Sequence, residues 1–97
     1  AGLIKSLSAE IAPIRINGVA PGRVQTDRVA HLDGLQATAR GRPMEEIRAE
    51  TIARIPLGHY GEPADVGRLA AFLLSPAAGY VTGAIVPIDG GMIRALP

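Results

Sequence analysis

Apolar and polar positions alternate along this chain with two different periods, and Pro and Gly punctuate them. In residues 1–12, Leu3, Ile4, Leu7 and Ile11 share one face at helical spacing, with Lys5, Ser8 and Glu10 mostly away from it. This predicts a helix that Pro13 ends. Residues 15–20 are apolar and β-prone, the signature of a buried parallel strand. Pro21-Gly22 breaks that run abruptly. Residues 27–42 are mixed and contain glycine, and read as a mobile connection with a short helix at most. Pro43 is a good first helical residue, followed by Glu45 and Glu46 where they complement the helix dipole. Met44, Ile47, Thr51, Ile52 and Ile55 then form a stripe that Pro56 stops.

Leu57 to Gly61 reads as a turn. Residues 63–74 carry the clearest helical pattern, with Val66, Leu69, Ala70 and Leu73 at i, i+3, i+4 and i+7. Ser75-Pro76 terminates it. Ala84 to Ile88 is a short apolar strand, and Asp89-Gly90-Gly91 turns the chain away. The order is helix, strand, lid (about 27–57), helix, strand. That order predicts an α/β fold, the closing portion of a doubly wound, Rossmann-like sheet. Its two strands are expected to be parallel neighbours joined by a right-handed crossover.

Ninety-seven residues allow one domain at most. A chain of this size buries about 60–68% of its unfolded surface, enough for a modest core. The composition is 47% hydrophobic, only 3% aromatic and rich in glycine, which suits a sheet covered by helices. Ten basic and nine acidic residues are interspersed, giving a net charge of +1. No basic run or aromatic platform points to nucleic acid. No apolar run reaches the length of a membrane span. The absence of cysteine excludes a disulfide framework and a cysteine zinc site. A cytoplasmic protein is the expectation.

Chemistry concentrates where the first strand stops. Ligands of open α/β sheets sit in the crevice beyond the carboxyl ends of the strands. There the chain presents Pro21, Gly22, backbone amides, Thr26 and Asp27. Arg15-Ile16-Asn17, followed by Pro21-Gly22-Arg23-Val24-Gln25-Thr26, resembles the strand and loop that hold the nicotinamide in short-chain dehydrogenase/reductases. That family's pattern is Arg-Val-Asn and then Pro-Gly-x-Val-x-Thr, so Ile16 is a mild departure. Further blocks stand in the family's order: Ile55-Pro56-Leu57-Gly58, Gly61-Glu62-Pro63, Asp65-Val66, Phe72-Leu73-Leu74-Ser75, Tyr80-Val81-Thr82-Gly83 and Asp89-Gly90-Gly91. The chain is similar to the C-terminal part of such enzymes, especially bacterial β-ketoacyl-acyl-carrier-protein reductases.

The resemblance implies an NAD(P)-dependent oxidoreductase that passes hydride between a nicotinamide cofactor and a carbonyl or alcohol, an acyl thioester included. It assigns Pro21, Gly22, Val24 and Thr26 to the cofactor. The Val24 backbone would bond the carboxamide, and the Thr26 hydroxyl would reach the carboxamide or a phosphate. It also implies a homo-oligomer in which the region 84–91 lies between subunits. Its other hallmarks are missing from these residues. Tyr60 and Tyr80 are the only tyrosines, and neither has Lys four residues later. No glycine cluster has a strand before it and a helix after it, as a phosphate-binding turn requires. Ala1-Gly2-Leu3 offers no N-cap, so the chain reads as beginning in mid-helix, just after the family's catalytic Lys. The expectation is a C-terminal segment with no catalytic residue, inactive alone, binding NAD or NADP weakly. The alternative is a non-catalytic remnant or assembly module.

The remaining candidates have plain structural readings. Asn17, in an apolar strand, is expected to be satisfied by nearby backbone. His31 and His59 are read as surface residues, with His59 standing where the family has Arg. Asp27, Asp33, Glu45, Glu46 and Glu50 are not read as an acid–base set, since Glu45, Glu46 and Glu50 lie on an amphipathic helix where solvation is the usual explanation. Arg40 and Arg42 could attract an acidic carrier partner, but solvated arginines are the commoner case. Gly67 lies inside a helix, where the family commonly has Ala. It admits either close packing or drift.

Overall fold

A computed structural model describes residues 2–92. Ala1, with which the expected first helix opens, and the segment 93–97 lie outside the described residues. The chain is α/β, as its pattern predicts. The elements are α1 (Gly2–Glu10), β1 (Gly18–Pro21), α2 (Asp27–Arg40), α3 (Met44–Ala53), α4 (Pro63–Leu74), a single 3-10 turn (Pro76–Ala78) and β2 (Ile85–Ile88). They fall into two compact units. One comprises residues 1–21 and 64–88, the other 22–63 and 89–97.

The first unit holds the sheet. β1 and β2 pair in parallel, with Gly18 opposite Ile85, Val19 opposite Val86, Ala20 opposite Pro87 and Pro21 opposite Ile88. The expected strand at 15–20 is therefore shifted to 18–21, for a physical reason. Residues 16 and 17 spend their hydrogen bonds on the 81–84 loop instead of on a ladder. The Ile16 amide donates to Thr82 Oγ1 at 3.1 Å, and its carbonyl accepts from the Gly83 amide at 2.7 Å. Asn17 Nδ2 donates to the Val81 carbonyl, and its Oδ1 accepts from the Ala84 amide, each at 3.1 Å. Asn17 is thus satisfied by backbone, as expected, and sets the register just before Gly18 donates to the Ala84 carbonyl at 2.8 Å. Gly83 is required here twice over. Its φ is +76°, and a Cβ would lie 2.6 Å from Ser8 Oγ.

Arg15 anchors the same unit. Its Nη1 donates to the carbonyls of Leu73 (2.7 Å), Ala78 (3.0 Å) and Val81 (3.3 Å), and its Nη2 to that of Ser75 (3.3 Å). A guanidinium has five donors and no acceptor. Placed at the negative end of α4, it satisfies carbonyls that the helix leaves without intrahelical partners. α4 itself has the expected bounds. Of its apolar stripe, Leu73 is buried and Val66, Leu69 and Ala70 are half-buried.

The second unit is built on α2 and α3. The segment expected to be a mobile connection is instead a helix of 14 residues. Thr26 caps its start, and Gly41 ends it in the left-handed conformation at φ +63°. α3 begins one residue after Pro43, which serves as its N-cap. Val24, Ala37, Ile47, Ile55 and Tyr60 form the apolar core of this unit, with Asp33 and Thr51 buried among them. Arg40 and Arg42 on one side and Glu46 and Glu50 on the other clasp the two helices. Both arginines are therefore engaged within the chain. No helix of the described residues is long and apolar enough to cross a membrane.

Candidate functional site

Of the candidate residues, Pro21 belongs to the first unit and Gly22, Val24 and Thr26 to the second. Pro21 is the last residue of β1 and is exposed. Gly22 opens the second unit. Val24 is 6% exposed and forms a one-residue parallel bridge with Gly61. The Gln25 amide donates to the Gly61 carbonyl at 2.7 Å, and the Gly61 amide donates to the Arg23 carbonyl at 2.9 Å. Neither bond uses the N–H or C=O of Val24 itself. In an extended chain, successive residues direct their backbone polar groups to opposite edges. Arg23 and Gln25 address Gly61, so the Val24 N–H and C=O address the other edge. Val24, anchored by its buried side chain, thus directs one donor and one acceptor away from Gly61.

Thr26 adds a hydroxyl. Its Oγ1 accepts the Val29 amide at 3.2 Å, capping α2. A capping hydroxyl keeps its own proton to donate. Thr26 is exposed, so that donor is accessible. Asp27 follows in the first turn of α2. Its carboxylate answers the positive end of the helix and opposes a second anion there. Donor, acceptor and hydroxyl together match a neutral amide such as a carboxamide better than they match a phosphate.

Other candidates are placed elsewhere. His31 and His59 are exposed, and His59 Nδ1 lies 2.8 Å from the Tyr60 carbonyl. Among the described residues, no group of three or more His, Asp or Glu side chains could hold a metal ion. Asp33 is 1% exposed. Its Oδ2 accepts the Tyr60 hydroxyl at 2.7 Å and lies 3.6 Å from Arg48 Nη1. The Arg48 guanidinium carbon stands 4.4 Å from the centre of the Tyr60 ring, and Arg48 Nη2 donates to Gln25 Oε1 at 3.0 Å. Burial, with the Asp33 carboxylate adding to it, holds the Tyr60 phenol above its ordinary range.

No local pattern marks this cluster, because its members are drawn from one loop, two helices and a turn. The one available signal was Asp33 itself. It stands one residue after Leu32 in a helix whose other inward residue, Ala37, follows four positions later.

Comparison with known proteins bears on the family and the fold. A family model described as enoyl-(acyl carrier protein) reductase matches residues 1–93. The 3-oxoacyl-[acyl-carrier-protein] reductase of Aquifex aeolicus is 39% identical over 93 residues, covering 94% of this chain and 33% of that protein. A short-chain dehydrogenase family protein from Francisella tularensis superposes with a TM-score of 0.88 at 34% identity, over 94% of this chain and 38% of that one. The actinorhodin polyketide ketoreductase, solved with NADPH, gives a TM-score of 0.87 at 31% identity, over 97% and 37%. The chain spans about a third of the length of the curated relatives it matches. With the match running from the first helix through the Asp89-Gly90-Gly91 turn, the chain belongs to the short-chain dehydrogenase/reductase family.

Proposed function

We propose that this chain supplies the nicotinamide-side loop of an NAD(P)-dependent oxidoreductase acting on a carbonyl or alcohol, an acyl thioester among the candidates. The observation that carries this reading is the orientation of Val24. Its side chain is buried and its neighbours are bonded to Gly61, so its own N–H and C=O face away from Gly61, the direction from which the carboxamide would approach. The Thr26 hydroxyl adds a third contact, and Gly22 allows close approach. In such a reaction, the cofactor supplies or accepts the hydride. The residues here bind and orient; they move no proton. Tyr60 is buried against Asp33, and Tyr80 has no Lys four positions on. The chain alone is therefore read as inactive, with NAD(P)H held only through the nicotinamide end.

Titration of the isotopically labelled chain with NADPH tests this. The Val24, Gln25 and Thr26 amides should shift, with an affinity no tighter than about millimolar, because nothing here grips the pyrophosphate. Thr26→Asp keeps the helix cap but removes the hydroxyl proton and adds charge, so it should weaken the response. Shifts centred on other residues, or reduction of a β-ketoacyl thioester by the chain above a no-protein blank, would refute the reading.

A second reading concerns assembly. α1 has no buried residue. In the same unit, Leu3 is 71% exposed, Leu74 83% and Ile85 39%. We propose that this unit packs against a second copy of the chain, which also covers the assembly-module alternative.

A further inference from the structure

We propose that Tyr60, Asp33 and Arg48 are positioning residues for the Val24 segment: a buried latch that sets the shape of the backbone assigned above to the nicotinamide. The inference rests on that reading for its purpose, but its geometry lies wholly within the second unit.

A carboxylate that is 1% exposed is costly unless its oxygens are satisfied. Asp33 Oδ2 accepts the Tyr60 phenol at 2.7 Å, and the Arg48 guanidinium pairs its charge at 3.6 Å from the same oxygen. Buried ion pairs contribute little to stability compared with well-packed apolar residues of the same volume. What they supply is geometry, since each partner is held at a fixed distance and angle. Here the partners are distributed so that the geometry reaches the loop from two sides. Tyr60 is joined by a peptide bond to Gly61, whose amide and carbonyl hold Arg23 and Gln25. Arg48 lies over the Tyr60 ring, so one planar group bridges Asp33 and the Gln25 side chain. The main chain of Gln25 is thus held through Gly61 and its side chain through Arg48, and both routes converge on Asp33. Arg suits this position because its rigid fork can serve two acceptors while stacking on a ring; a Lys ammonium cannot.

Amide hydrogen exchange of the 97-residue chain, without cofactor, tests the latch independently of the cofactor reading. The reporters are the Gln25 and Gly61 amides; the controls are Gly18 and Gly83, bonded within the first unit. In Tyr60→Phe and Arg48→Met, protection of both reporters should fall about tenfold or more while the controls hold, a change of ~1.4 kcal/mol. Arg48→Lys should restore less than half of that loss. Gln25→Ala, at an exposed position, guards against failure to fold and should lower protection at Gln25 several-fold. Unchanged reporters, or an equal fall at reporters and controls, would overturn the proposal. If the reporters respond but NADPH leaves Val24 unmoved, the latch stands and the cofactor reading falls.

Discussion

Tyr60 shows how a residue's chemistry follows from its surroundings rather than its type. Burial and the Asp33 carboxylate disfavour its phenolate, against smaller opposing effects of Thr51 and Arg48. The sign of the consequence follows from linkage. A pKa raised in the folded state means that the neutral phenol is favoured by folding. Its contribution is complete below the ordinary tyrosine range and is lost as pH rises through the elevated value. Urea unfolding measured from about pH 8 to about pH 11 should therefore show stability falling at the alkaline end. Tyr60→Phe should lower the stability of the second unit at neutral pH by about 1–3 kcal/mol, because Asp33 loses its donor, but should show a flatter alkaline limb. Equal slopes in both proteins would place the alkaline loss elsewhere. At this scale, the place of Asn17 was legible, because a polar side chain in an apolar strand must be satisfied by backbone. Asp33 was not, because its partners lie 15 and 27 residues away.

Elements were legible to the extent that one face of each carries a repeating apolar pattern. α4 has such a face, and its bounds match the expectation. α2 does not. Only Asp33 and Ala37 are buried along its 14 residues, and Leu32 and Leu35 are 42% and 55% exposed. The signals that do mark it are terminal: Thr26 before Asp27, and Gly41 after Arg40. Gly67 can now be decided within the chain. Among the described residues, nothing lies within 4 Å of a Cβ built there, so close packing against them does not account for it. Gly67→Ala should raise the stability of the isolated chain by about 0.5–1 kcal/mol, read as a higher urea midpoint with an unchanged slope. A loss of stability would show that a second copy meets α4 at that position.

The α2–α3 clasp responds to acid. The hydrogen bond from Arg40, helped by Arg42, holds the Glu50 carboxyl below its ordinary range. A depressed carboxyl pKa contributes above the unfolded value and loses that contribution as pH falls through the folded one. Loosening of this helix pair at acid pH should be blunted in Glu50→Gln, as read by exchange of α2 amides across the acid range.

At the scale of the whole molecule, exposed apolar surface bears on assembly. Leu3, Ile14, Phe72, Leu74, Tyr80 and Ile85 are exposed, all in the first unit. Among the described residues, β1 and β2 pair only with each other, which leaves two open sheet edges. Apolar exposure and open edges both drive association. Sedimentation at tens of micromolar (about the range of weak interfaces) should show a dimer or larger species. Leu3→Lys and Leu74→Lys should shift it toward monomer without unfolding, since neither side chain is buried. A folded monomer of the unmodified chain at that concentration would remove the assembly reading.

By itself, the sequence determined the α/β class, the element order, the parallel pairing of two apolar strands, and the loop that follows the first strand. Each depends on periodicity, on Pro and Gly punctuation, or on a motif within a few residues. Tertiary structure alone decided where the ladder begins, because Asn17 and Thr82 divert the hydrogen bonds of residues 16 and 17. It alone turned an expected connection into α2, since packing against α3 stabilises a helix whose own periodicity is weak. It alone gathered Gln25, Asp33, Arg48 and Tyr60, because a buried charge is defined by what surrounds it, and those neighbours are brought there by the fold.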